Sequence, residues 1–144
     1  GQLADKKGNL HLVYTAASLI FICYLLLSSF VGVSPLYIAF ILIFGNLGQT
    51  FMSVAMANTI SRTLNKSQTG IGMGLFAMMN FISGAASTSL IGKILDYNKI
   101  EFHLNPIINN SAAFIYSNIF FVFAFLIVVF AFLYTKQFGS LQRE

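Results

Sequence analysis

The sequence predicts an all-α, polytopic membrane protein with four transmembrane helices. Three observations point there. Only 8% of the 144 residues are charged, against 57% hydrophobic, whereas a soluble domain carries about 25% charged residues. Four stretches, 12–33, 36–60, 69–92 and 112–135, contain no Asp, Glu, Lys or Arg, and each exceeds the ~20 residues a helix needs to cross a hydrocarbon core. None shows the short alternating pattern of a barrel strand. The apolar surplus therefore faces the lipid bilayer. The net charge of +4 does not imply a nucleic-acid partner, because the basic residues are scattered between apolar runs. The single Cys23 excludes an intrachain disulfide.

Taken in order, the chain divides into a cytoplasmic loop (1–11), a first span (12–33), an uncharged turn, a second span (36–60), a basic loop (61–68), a third span (69–92), a loop (93–111), a fourth span (112–135) and a tail (136–144). Lys6, Lys7, Arg62, Lys66, Lys136 and Arg143 fall on one side of a four-span topology, and Lys93 and Lys99 on the other, where Asp96 and Glu101 offset them. The positive-inside rule then makes both termini of this segment cytoplasmic and the 93–111 loop extracytoplasmic. The spans are too long to be removable signal peptides.

The fourth span is Phe-rich and apolar on all sides after Asn118, so it is expected to touch lipid on most of its surface, and the first span resembles it. The second and third differ. Asn46, Gln49 and Ser53 recur at i, i+3, i+7, bordered by Thr50 and Ala57, and Asn80, Ser83 and Ser87 repeat that spacing. A small-residue edge, Asn80, Gly84, Thr88 and Gly92, runs beside the second stripe and suits close helix contact. Amides in hydrocarbon need partners. The stripes either glue helices together or line a shared aqueous or substrate pathway, and two matching stripes on adjacent spans favour the pathway. Gly70, Gly72 and Gly74 superficially suggest a phosphate loop, but no strand precedes them, so they are assigned, with Gly84 and Gly92, to helix packing. His11 and His103 are isolated, which gives no metal site. No catalytic constellation stands out and no cofactor is implied, so an enzyme is not expected.

The opening octapeptide "GQLADKKG" resembles the G-x-L-A-D-[RK]-x-G loop signature of the major facilitator superfamily, through Gly1, Leu3, Ala4, Asp5, Lys6 and Gly8. Asn9 and Leu10 stand where the full pattern continues with a basic pair, as in the weaker copy of the second half. The order of spans and loops is similar to the C-terminal four helices of the 14-helix drug:proton antiporters, notably the TetK/TetL-type tetracycline exporters, with "KSQTGIGMGLFAMMNFISG" (66–84) carrying most of the likeness. The resemblance implies part of the C-terminal six-helix bundle of a secondary transporter. Such a transporter exports drugs or other small molecules by proton-coupled alternating access, and its partners are its own N-terminal helices, the substrate and protons. It also implies a conformational latch at Gly1, Asp5, Lys6 and Gly8, where glycines permit a sharp turn and Asp5 can face a helix N-terminus. The alternative for the loop alone is a solvated turn. The chain departs from the tetracycline exporters at Gly84, where they, as aligned here, carry a glutamate important for transport. No span here holds an acid, although an intramembrane carboxylate is the usual proton carrier. That counts against tetracycline as substrate and puts proton-carrying acids in other helices. With four of twelve or more helices and no initiator Met, the chain is expected to be a fragment. The rival class is a small four-helix membrane scaffold or partner subunit without transport activity.

Overall fold

A computed structural model describes residues 9–96, 102–107 and 113–138. Four helices account for most of them: α1 (Asn9–Phe30), α2 (Pro35–Thr63), α3 (Thr69–Asp96) and α4 (Phe114–Phe138). All four are long and apolar enough to cross a membrane. Helices suit such composition because each carries its backbone hydrogen bonds internally, where lipid offers none.

The helices overrun the uncharged stretches. α1 begins at Asn9, α2 continues through Arg62, α3 continues through Lys93 to Asp96, and α4 continues through Lys136. A charge does not stop a helix at the interface, since long side chains carry it to water while the backbone stays bonded. The loop expected over 61–68 shrinks accordingly. There Asn65 O accepts from Gln68 N at 2.8 Å and Thr69 N at 3.0 Å, and the Thr69 hydroxyl adds a third bond at 3.1 Å. α1 instead ends early, at Phe30, where Val33 N bonds Phe30 O at 3.0 Å. Ser34 then caps α2, its Oγ accepting from Leu36 N at 3.4 Å, and Pro35 occupies the first helical position, where no amide hydrogen is missed.

The chain forms two compact units, Gly1–Ala55 with Glu101–Glu144, and Met56–Ile100. In the first, α1 is the central helix, contrary to the lipid-facing role expected for it. Leu12, Val13, Ala16, Ala17, Cys23 and Leu27 are buried. α4 runs antiparallel along it, with Ser28 meeting Ser117 at one end and Asn9 meeting Tyr134 at the other. α4 gives one side to this contact. Ser117, Asn118, Ala124 and Tyr134 are buried, and Phe120 and Phe123 pack against Tyr24 with ring centroids 6.3 and 5.6 Å away. Phe125, Leu126, Phe132 and Leu133 remain exposed.

The stretch of α2 up to Ala55 lies antiparallel on α1. Its buried residues, Ile41, Gly48 and Ala55, recur every seventh position and so form a nearly straight seam. Gly45 and Gly48 let the backbones approach. A Cβ on Gly48 would stand 2.8 Å from Ile20 Cγ1 and 3.1 Å from Ala16 O, and one on Gly45 would stand 2.7 Å from Cys23 Sγ. The turn after α1 and the segment 102–107 share a side of this unit, since Asn105 bonds both Ser28 and Ser29. In the second unit, Gly72 is a close approach, because a Cβ there would run into Leu64 Cδ1.

Candidate functional site

At about 100° per residue, Asn46 and Ser53 lie roughly 140–160° around α2 from Gly48, and Gln49 about 100° away. The polar stripe is thus turned from the seam with α1. Asn46, Gln49, Thr50 and Ser53 are all exposed. The Thr50 hydroxyl is satisfied within its own helix, donating to Asn46 O at 2.9 Å. Asn46, Gln49 and Ser53 make no side-chain hydrogen bond among the described residues.

On α3, Asn80, Ser83 and Ser87 occupy one face at the same spacing, and all are exposed. No residue of α3 is buried. The Thr88 hydroxyl turns back to Gly84 O at 2.9 Å. A Cβ at Gly70, Gly74, Gly84 or Gly92 would meet nothing within 4 Å. Among the described residues, close approaches occur at Gly45, Gly48 and Gly72, and of these only Gly72 was expected from the sequence. The expected latch residues, Gly1, Asp5, Lys6 and Gly8, lie outside the described residues.

Two buried polar clusters were not apparent from the sequence. At one end of the α1–α4 pair, Asn9 is wholly buried, and its Nδ2 donates to Ala55 O at 2.9 Å and Tyr134 Oη at 3.3 Å. One amide thus ties α1 to both α2 and α4. One turn further along α1, the Tyr14 hydroxyl hydrogen-bonds Thr135 Oγ1. At the other end, Ser117 Oγ donates to Ser28 O at 2.7 Å, while Ser28 Oγ lies 3.0 Å from both Ser117 O and Ser117 Oγ. Asn105 Nδ2 donates to Ser28 Oγ at 2.9 Å and Ser29 Oγ at 3.1 Å. Asn118 holds the backbone of the preceding segment from both sides. Its Oδ1 accepts from Leu104 N at 2.8 Å and its Nδ2 donates to Phe102 O at 2.7 Å. The available signal was positional. Asn9, Ser28, Ser117 and Tyr134 each stand within a few residues of a helix end, which antiparallel pairing brings together.

These polar side chains are therefore of two kinds. Asn9, Ser28, Ser117 and Asn118, near the ends of α1 and α4, are buried and bonded beyond their own helix. Those in the middle of α2 and α3 are exposed, neutral and arranged in stripes. The stripes offer amide and hydroxyl groups, and no charge, to whatever lies against them. The sequence matches no protein-family model, and the chain matches no solved structure.

Proposed function

We propose that this chain supplies four helices of the C-terminal six-helix bundle of a major facilitator drug:proton antiporter. It resides in the cell membrane with both termini of the segment cytoplasmic, and it exports small molecules by alternating access. The observation that carries this reading is the neutral stripe of α2. Asn46, Gln49 and Ser53 are exposed at mid-helix and turned from the α1 seam. Leaving an amide unpaired in hydrocarbon costs roughly 2–7 kcal/mol, so a stripe at membrane depth belongs against water, substrate or another polar helix face. The "GQLADKKG" signature selects the first two, because transporters of that type place their substrate path at the midplane between repeats. On this reading the stripe of Asn80, Ser83 and Ser87 on α3 is likewise a substrate-pathway face, and Asp5, within its Gly-bracketed loop, serves the access change.

The test separates contact from glue. In the whole transporter, Gln49→Ala and Asn80→Ala at a contact site shift resistance to ethidium relative to a fluoroquinolone while protein level holds. Cysteines at Gln49 and Ser83, in a Cys23→Ala background, react with a water-soluble thiol reagent, and substrate slows the reaction, whereas a cysteine at the exposed, lipid-side Val128 stays unreactive. Equal loss of resistance to every drug, together with no reactivity at Gln49 or Ser83, would leave the stripes as packing and remove the main support for transport.

A further inference from the structure

We infer that segment Phe102–Ile107 is a strap that rivets the ends of α1 and α4 together, so that the two helices hold one register as a single body. The strap is tethered at three independent points. Asn105 is only 3% exposed, and its amide nitrogen reaches across to Ser28 and Ser29 on α1. Its Oδ1 turns back to accept from Ile107 N at 3.0 Å, so both ends of the side-chain amide are used. Asn118 of α4 bonds the strap's backbone at Phe102 O and Leu104 N. One side-chain amide thereby does for this segment what a neighbouring strand does in a sheet. One helical turn before Asn118, the Phe114 ring stacks on His103 with centroids 4.9 Å apart.

Burial and satisfaction make the strap a fixed fastening instead of a releasable gate. Ser28 and Ser117 are fully buried beneath it and bond one another reciprocally. Among the described residues, the hydrogen bonds that hold the cluster come from side-chain amides and hydroxyls and from backbone groups. Parting α1 from α4 at this end requires the strap to lift and strands several buried polar groups at once, each of which is costly to leave unbonded. Any larger motion of the protein therefore carries these two helices along as a pair.

The experiment is residue-resolved hydrogen exchange on the full protein in lipid nanodiscs. The Leu104 amide lies in an irregular segment and is expected to exchange far more slowly than its intrinsic rate, because Asn118 Oδ1 holds it. Asn118→Ala is expected to speed exchange at Leu104 about five- to tenfold, with the helical circular dichroism unchanged. Exchange of wild-type Leu104 at the rate of a free loop amide overturns the inference, and so does an Asn118→Ala variant that folds and leaves that rate unchanged. If Asn118→Ala does not fold, the wild-type rate, which does not involve it, still decides the matter.

Discussion

The Gly45–Cys23 contact provides a test of the α1–α2 seam in which a second substitution should reverse the effect of the first. In Gly45→Ala, the new Cβ falls 2.7 Å from Cys23 Sγ, about an ångström inside ordinary contact, while Cys23 Cβ at 3.6 Å is undisturbed. Cys23 is 2% exposed and packed with Leu27 and Ile41, so the sulfur has little room to swing aside. Overpacking of this kind costs about 1–3 kcal/mol, partly offset by the helix preference of Ala over Gly, up to about 1 kcal/mol. Net destabilisation of roughly 0–2 kcal/mol is expected. Removing the sulfur with Cys23→Ala leaves only the ordinary 3.6 Å contact. In that background, Gly45→Ala should become neutral or stabilising by up to about 1 kcal/mol. The quantity to measure is the coupling between the two substitutions, expected at about 1–3 kcal/mol. The chain has no Trp, so unfolding by SDS titration in mixed micelles is best followed through helical circular dichroism. Additivity within about 0.5 kcal/mol would refute the seam, because distant residues do not couple.

Three further outcomes follow from the same packing. Ser28→Ala, which strands Asn105 and Ser117 groups, is expected to lose about 1–2 kcal/mol in the same titration, whereas Ser18→Ala on the exposed side of α1 stays within about 0.5 kcal/mol; equal effects would dismiss the buried cluster. Asn9→Ala removes the amide that ties α1 to Ala55 O and Tyr134 and is expected to cost about 1–2 kcal/mol; an unchanged midpoint would show the contact to be idle. For topology, cysteines at Ser67 and Ile107 in a Cys23→Ala background are both exposed, and an impermeant maleimide on intact cells should label Ile107 and spare Ser67. The reverse pattern would invert the orientation that the lysine and arginine distribution implies.

How much of this was legible depended on which interactions the sequence encodes locally. Helix number and approximate extent followed from uncharged length alone. Helix ends did not, because Arg62, Lys93 and Lys136 continue their helices into the interface instead of breaking them. The exposed stripe of α2 was legible, since periodicity places Asn46, Gln49 and Ser53 on one face whatever their neighbours. Its orientation needed the partner, which the Ile41–Gly48–Ala55 seam supplies. α1 was read as lipid-facing because it is apolar all round. Composition cannot separate lipid from a packed neighbour when both are equally apolar, and only the contacts of Ala16, Cys23 and Leu27 do so.

That ambiguity also shows where pairing specificity resides. Apolar burial gives little preference among neighbours within a bilayer, so small residues and interhelical hydrogen bonds must select them. α1 uses both. Along its middle, Ala16 and Cys23 accept the glycines of α2, and at its ends Asn9 and Ser28 fix the register against α4. A slip of one turn along α4 would part Asn9 from Tyr134 and Ser28 from Ser117 at once, which opposes that register. The stripe of α2 has no such role in the unit that contains it. Asn46 and Ser53 are turned well away from the seam, Gln49 stands to its side, and none of the three makes a side-chain hydrogen bond to α1, so packing within that unit gives no reason for them. A reason must come from what lies beyond that face, and the transport reading supplies one in a hydrated path that neutral donors and acceptors can line.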